Sequence, residues 1–117
     1  MDKIKKYQSI IKKLLHEQAN SLALVPKIEY QVISDTENNH FQLVMTGWNV
    51  KDHFVYSVLF HFDIKPNGKV WILVNNTDVM VAEQLVERGV LKSDIVLGFH
   101  SEMVRPHTGY AVAGLLK

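Results

Sequence analysis

Reactive side chains gather in two parts of this sequence, and their spacing limits what each part can do. The first is the strip DIVLGFHSEMVRPHTGYAVA, residues 94–113, which brings His100, Arg105 and His107 close together. Imidazole and guanidinium groups so spaced can bind an anion or take part in proton transfer. No second motif completes a catalytic geometry, so no catalytic residue is assigned. The same groups can instead satisfy buried carbonyls, with Gly98 and Gly109 permitting tight backbone turns.

The second part is HFDIK, residues 61–65. His61 and Asp63 stand two apart in a stretch of alternating pattern, which points both to one face of a strand. They could hold a metal if a third ligand came from His40, His53 or His107. Asp63 with Lys65 also resembles the acidic–spacer–lysine pattern of metal-dependent nucleases, which needs another carboxylate upstream, from Asp35 or Asp52. Lys65 runs directly into Pro66-Asn67-Gly68, where a solvated lysine is expected on structural grounds alone. Strand histidines are also common as hydrogen-bonded fillers, so no metal is assigned and no cofactor is expected.

These residues must be positioned by elements that the hydrophobic pattern defines. Residues 2–20 read as an amphipathic helix, because Ile4, Tyr7, Ile11, Leu14 and Leu15 fall within an arc of roughly 140° while Lys5, Lys6, Lys12 and Lys13 lie opposite. Pro26 suits the connection that follows. From Ile28 to Val74 the period becomes two, and four strands are expected, separated by turn formers in SDTENN and KPNGK. In the third run Phe54, Tyr56, Val58, Phe60 and Phe62 share one face, which is expected to be buried. A second helix is expected near residues 78–88, capped by Thr77 or Asp78 and ended by Gly89, with Val79, Ala82, Leu85 and Val86 on its buried stripe. LKSDIVLGF has no assignment. The expected fold class is α+β: N-terminal amphipathic helix, antiparallel sheet of about four strands, second helix and irregular C-terminal tail, as one domain over residues 1–117.

Composition narrows the function classes. Lys and Arg number 13 against 12 Asp and Glu, leaving no global charge to favour nucleic acid or a membrane surface. The absence of cysteine excludes thiolate metal sites, disulfides and cysteine nucleophiles, and fits a reducing cytoplasm. Lysines interrupt every apolar run of the first helix, so neither a signal peptide nor a membrane span is expected there. Glycine-rich phosphate loops, GxSxG and HExxH are absent.

Several segments together resemble the XisI-like family: TGWN at 46–49, HFDIK with GKVWI across 61–72, NNTD at 75–78, AEQLVERGVLKSDIVLGFHS at 82–101, and Arg105 followed by TGYAVA at 108–113. That family takes its name from the fdxN element excision controlling factor XisI of heterocyst-forming cyanobacteria. LKSD at 91–94 and HSEMV at 100–104 depart locally from the family pattern, which puts a proline in each. The resemblance implies a small cytoplasmic protein without catalytic residues. It would act beside a XisH-like, nuclease-type protein in site-specific DNA excision by a separate recombinase, contacting DNA indirectly.

On this basis Gly98, Phe99, His100, Ser101, Arg105, Thr108, Gly109 and Tyr110 are expected to form part of a partner-binding face, anchored by His100 and Arg105. Two other readings compete: a small metal-dependent nuclease or hydrolase using Asp63 and Lys65 or the histidines, and direct DNA binding through the lysine-rich helix. A homo-oligomer is also expected to be feasible, since a small antiparallel sheet can leave an edge strand to cover.

Overall fold

A computed structural model describes residues 2–22, 25–101, 103–105 and 108–111. The first helix, α1, spans Lys3–Leu22 and buries Tyr7, Ile11, Leu14, Leu15 and Ala19, the stripe that the apolar spacing defines. Asp2 begins it by accepting the Lys5 N–H at 2.8 Å, the role of an N-cap carboxylate. Four strands follow as an antiparallel meander, β1 Ile28–Asp35, β2 His40–Trp48, β3 Phe54–Ile64 and β4 Val70–Asn75. The turns are built by side chains suited to them: Asp35 Oδ1 accepts from the Glu37 and Asn38 N–H groups at 3.0 Å each, and Asn49 Oδ1 accepts from Lys51 and His53.

LKSDIVLGF resolves into a short 3-10 turn, Lys92–Asp94, and a fifth strand, β5 Ile95–Leu97, which pairs parallel with β4. The sheet is therefore mixed, in the order β1-β2-β3-β4-β5. A parallel neighbour needs a crossover, and the second helix, α2 Val81–Glu87, supplies it. This helix starts later than Thr77 or Asp78. Thr77 Oγ1 instead accepts the Val79 N–H at 3.0 Å, and Asn75 Oδ1 accepts the Thr77 N–H and O–H, so these side chains stabilise the preceding loop. Met80 occupies the cap position with no side-chain bond. Gly89 ends the helix as expected: its φ is +113°, its N–H reaches the Val86 carbonyl, and the Val90 N–H reaches Leu85, the two bonds of a Schellman motif. Leu85 is buried, whereas Val86 is exposed.

The expected even-numbered face of β3 does not stay on one side. Leu43 pairs with Phe60 but Val44 pairs with Val58, so Leu59 is an extra residue, a β-bulge. After it Phe60, Phe62 and Ile64 enter the core; before it the frame shifts, leaving Phe54 and Tyr56 59% and 65% exposed. The exposed pair lies on the helix-free face, where Phe54 packs edge-on to Trp48 at 5.3 Å between centroids.

On the opposite face α1, Val81 and Leu85 close over Phe41, Leu43, Phe60, Phe62, Val70, Ile72 and Ile95. At the margin of this core Asp94 is buried. Its Oδ2 accepts the Tyr7 O–H at 2.6 Å, Lys3 Nζ approaches at 3.3 Å, and the Tyr7 oxygen in turn accepts the Leu91 N–H at 3.2 Å. Burial, followed by the bond to Asp94, pushes the Tyr7 phenol above its ordinary pKa.

Candidate functional site

Strand register assembles the polar cluster on the open face. Pairing of β2 with β3 sets His40 opposite Asp63 and Gln42 opposite His61, and pairing of β3 with β4 sets Asp63 opposite Trp71. Because facing residues in an antiparallel pair project to the same side, all five meet above the sheet. His40 Nδ1 lies 2.7 Å and His61 Nε2 3.0 Å from the same oxygen, Asp63 Oδ1, and Lys65 Nζ stands 3.7 Å from Oδ2. The Asp63 side chain is only 9% exposed, against 26% for His61 and 53% for His40, so the cluster has a buried anion at its base and imidazoles at its mouth. Gln42 Nε2 lies 3.1 Å from His61 Nδ1. That contact makes Nδ1 the acceptor and leaves Nε2 to donate to Asp63, a tautomer inferred from the bonding pattern.

Of the third ligands considered for His61 and Asp63, the fold brings in His40. His53 belongs to the β2–β3 turn, at the other end of the hairpin, and His107 lies outside the described residues. Among the described residues, one group of donor side chains has its ligand atoms within 4.8 Å of one another: His40, His61 and Asp63. The second carboxylate of a nuclease pattern is not gathered. Asp52 is in the far turn, and Asp35, although across from His40, commits its carboxylate to the Asn38 and Glu37 N–H groups. The bonds from Asn38 hold the Asp35 carboxyl below its ordinary pKa.

The described residues of the C-terminal strip bring Arg105 over the β4–β5 end of the same face. Arg105 stacks its guanidinium 4.9 Å from the centre of the Trp71 ring and donates from Nε to the His100 carbonyl at 3.0 Å. Lys65 lies over the same ring at 5.5 Å. Thr108 Oγ1 donates to the Arg105 carbonyl and accepts the Tyr110 N–H, and Ala111 then bonds to Ile95 beside β5. Arg105 thus works through the backbone of His100. Ser101 accepts from Val104 and Arg105 N–H groups through its carbonyl. Gly98 is required by close approach and not by an unusual φ: a Cβ there would sit 2.8 Å from Leu73 Cδ2 and 3.1 Å from Trp71 Cε3. Gly109, at φ +82°, is the turn former.

Phe99 and Tyr110 line a cleft of about 220 Å³ between the strip, the end of β4 and α2, with Val79, Met80, Ala82 and Leu97 supplying further apolar wall. Burial, with Glu83 adding to it, pushes the Tyr110 phenol above its ordinary pKa. Sequence reasoning missed two contributors. Met80, on the far wall of the cleft, gave no signal. Trp71 was legible as an outward residue, since it alternates with the core residues Val70 and Ile72, but nothing in the pattern tied it to Arg105.

The family profile described as "XisI protein" matches residues 1–112. Among solved structures, a XisI-like protein from Anabaena variabilis ATCC 29413 is 43% identical, with a TM-score of 0.86 over 94% of this chain and 99% of that one. The fdxN element excision controlling factor XisI from the same organism is 26% identical, with a TM-score of 0.78 over 96% of this chain and 100% of that one. A comparison with curated proteins gives no match.

Proposed function

The chain belongs to the XisI family, and from that premise we propose that it is a non-enzymatic controlling factor of DNA element excision that acts by binding a XisH-like, nuclease-type protein. The observation that carries the reading is the cleft beside the strip, where Phe99 and Met80 are 52% and 64% exposed on a mainly apolar wall that also holds Asn75 and Glu83. Exposed large apolar side chains on a rigid, hydrogen-bonded frame are what a protein partner uses as anchors. The near-balance of 13 basic and 12 acidic residues favours a protein partner over autonomous DNA binding, with the recombinase and the DNA engaged through the complex.

The test is co-expression with a XisH-like protein, followed by size exclusion with light scattering. A complex of defined mass is expected, and the same measurement reads any homo-oligomer. Phe99→Ser together with Met80→Ser should weaken the complex at least about tenfold while leaving the fold intact, the loss typical of removing interface anchors. Two separate peaks for the wild-type pair would overturn the reading. The competing hydrolase reading draws on the Asp63 and Lys65 pair, and metal-dependent cleavage lost in Asp63→Ala would revive it.

A further inference from the structure

We propose that His40 Nδ1, His61 Nε2 and Asp63 Oδ1 form a binding site for one divalent ion of the zinc type, with a fourth coordination position open to solvent. The proposal is independent of the partner-binding reading, since its ligands lie away from the cleft.

The ligands are held by paired strands. His40 and Asp63 are register partners across β2 and β3, and His61 is on the same face of the same strand as Asp63, two residues earlier. Sites built on paired strands hold their geometry better than sites on loops. The donor atoms already fall within 4.8 Å of one another. Tetrahedral coordination with bonds of about 2.0–2.2 Å needs ligand atoms about 3.3–3.6 Å apart, so the two imidazoles, now 2.7 and 3.0 Å from Asp63 Oδ1, have to move back from it by less than about 1 Å to admit the ion.

The donor set also selects the ion. Two imidazole nitrogens and one carboxylate oxygen suit zinc, cobalt or nickel, and are too few and too nitrogen-rich for calcium or magnesium. Gln42 completes the arrangement. With its amide turned so that the oxygen accepts an Nδ1–H of His61, it frees Nε2 for the ion and fixes the ring, as the outer hydrogen bonds of metal-bound histidines do. The buried Asp63 supplies the negative charge, and the half-exposed His40 leaves the fourth position reachable. Lys65, 3.7 Å from Asp63 Oδ2, is the cation that competes with a bound ion for the carboxylate.

A site of this kind and a plain hydrogen-bonded cluster respond differently to Zn²⁺. The full chain, stripped with a chelator, is titrated with Zn²⁺ in competition with a chromophoric chelator, and with Co²⁺ to read visible d–d absorption. One equivalent is expected per chain, with the intense absorption of four-coordinate cobalt. His40→Ala, His61→Ala and Asp63→Asn should each weaken binding by more than about tenfold, while His53→Ala should leave it unchanged. The His40 side chain is 53% exposed, so the effect of His40→Ala is read on a folded protein, checked by circular dichroism. Lys65→Gln should tighten binding severalfold by removing the competing charge. Equal binding by wild type and the three ligand variants, no stoichiometric binding by wild type, or indifference to Lys65→Gln would each overturn the site.

Discussion

Among the described residues two aspartates are buried, one on each side of the sheet, and their neighbours differ. Asp94 meets a tyrosine hydroxyl and a lysine brought by α1, an element remote in sequence, and the tyrosine oxygen is itself occupied by a backbone N–H. Asp63 meets His40, His61 and Lys65, side chains of its own hairpin that open toward solvent. The first arrangement spends its hydrogen-bonding capacity on joining elements, and of its partners the lysine, 45% exposed, reaches solvent. The second leaves imidazoles at the surface that can exchange one partner for another. A buried carboxylate becomes chemically available when its neighbours are imidazoles, whose nitrogens can turn from donor to acceptor, and structural when they only donate to it.

The sharpest way to break the contrast between the faces is to truncate one residue type on each. Phe60→Ala and Phe54→Ala lie on one strand, on either side of the Leu59 bulge. The first should cost about 3–5 kcal/mol and the second less than about 1 kcal/mol, read from urea midpoints at unchanged slope. Comparable losses would mean that the open face is covered in solution.

Tyr7→Phe removes one bond to the Asp94 carboxylate and strips the Leu91 N–H of its acceptor, and should cost about 2 kcal/mol. Asp63→Asn keeps the shape of its cluster and should cost about 1 kcal/mol or less; a larger loss there than at Tyr7 would reverse the comparison. The smallest effect is on pH dependence. Because the folded state raises the Tyr7 pKa above its unfolded value of about 10, the unfolded chain loses that proton first. The contribution is complete below that value and is lost as pH rises through the folded pKa. Wild type should therefore lose more stability than Tyr7→Phe on passing from about pH 9 to 11.

What was legible in the sequence follows from the range of the interactions. The α1 stripe and the four-strand meander rest on local periodicity and turn chemistry, so Tyr7, Ile11 and Leu14 could be placed on the buried side directly. The bulge at Leu59 left no mark, because Val55, Val58 and Leu59 make both frames of β3 apolar. β5 is three residues long and pairs in parallel through a crossover, which gives local pattern nothing to read. The metal-ligand possibility at His61 and Asp63 was legible as a condition awaiting a third ligand, and the hairpin register supplied His40. The bond between Tyr7 and Asp94 spans 87 positions and was beyond any local signal.

That span also orders events in time. Tyr7 of α1 is made before the carboxylate that locks it, which follows 87 residues later, on the order of 10 s at ordinary synthesis rates. Until then the helix has only its apolar stripe and the growing hairpins to hold it, so the nascent chain carries an unlatched helix through the synthesis of the meander, and the latch closes only once the turn that precedes β5 has been made.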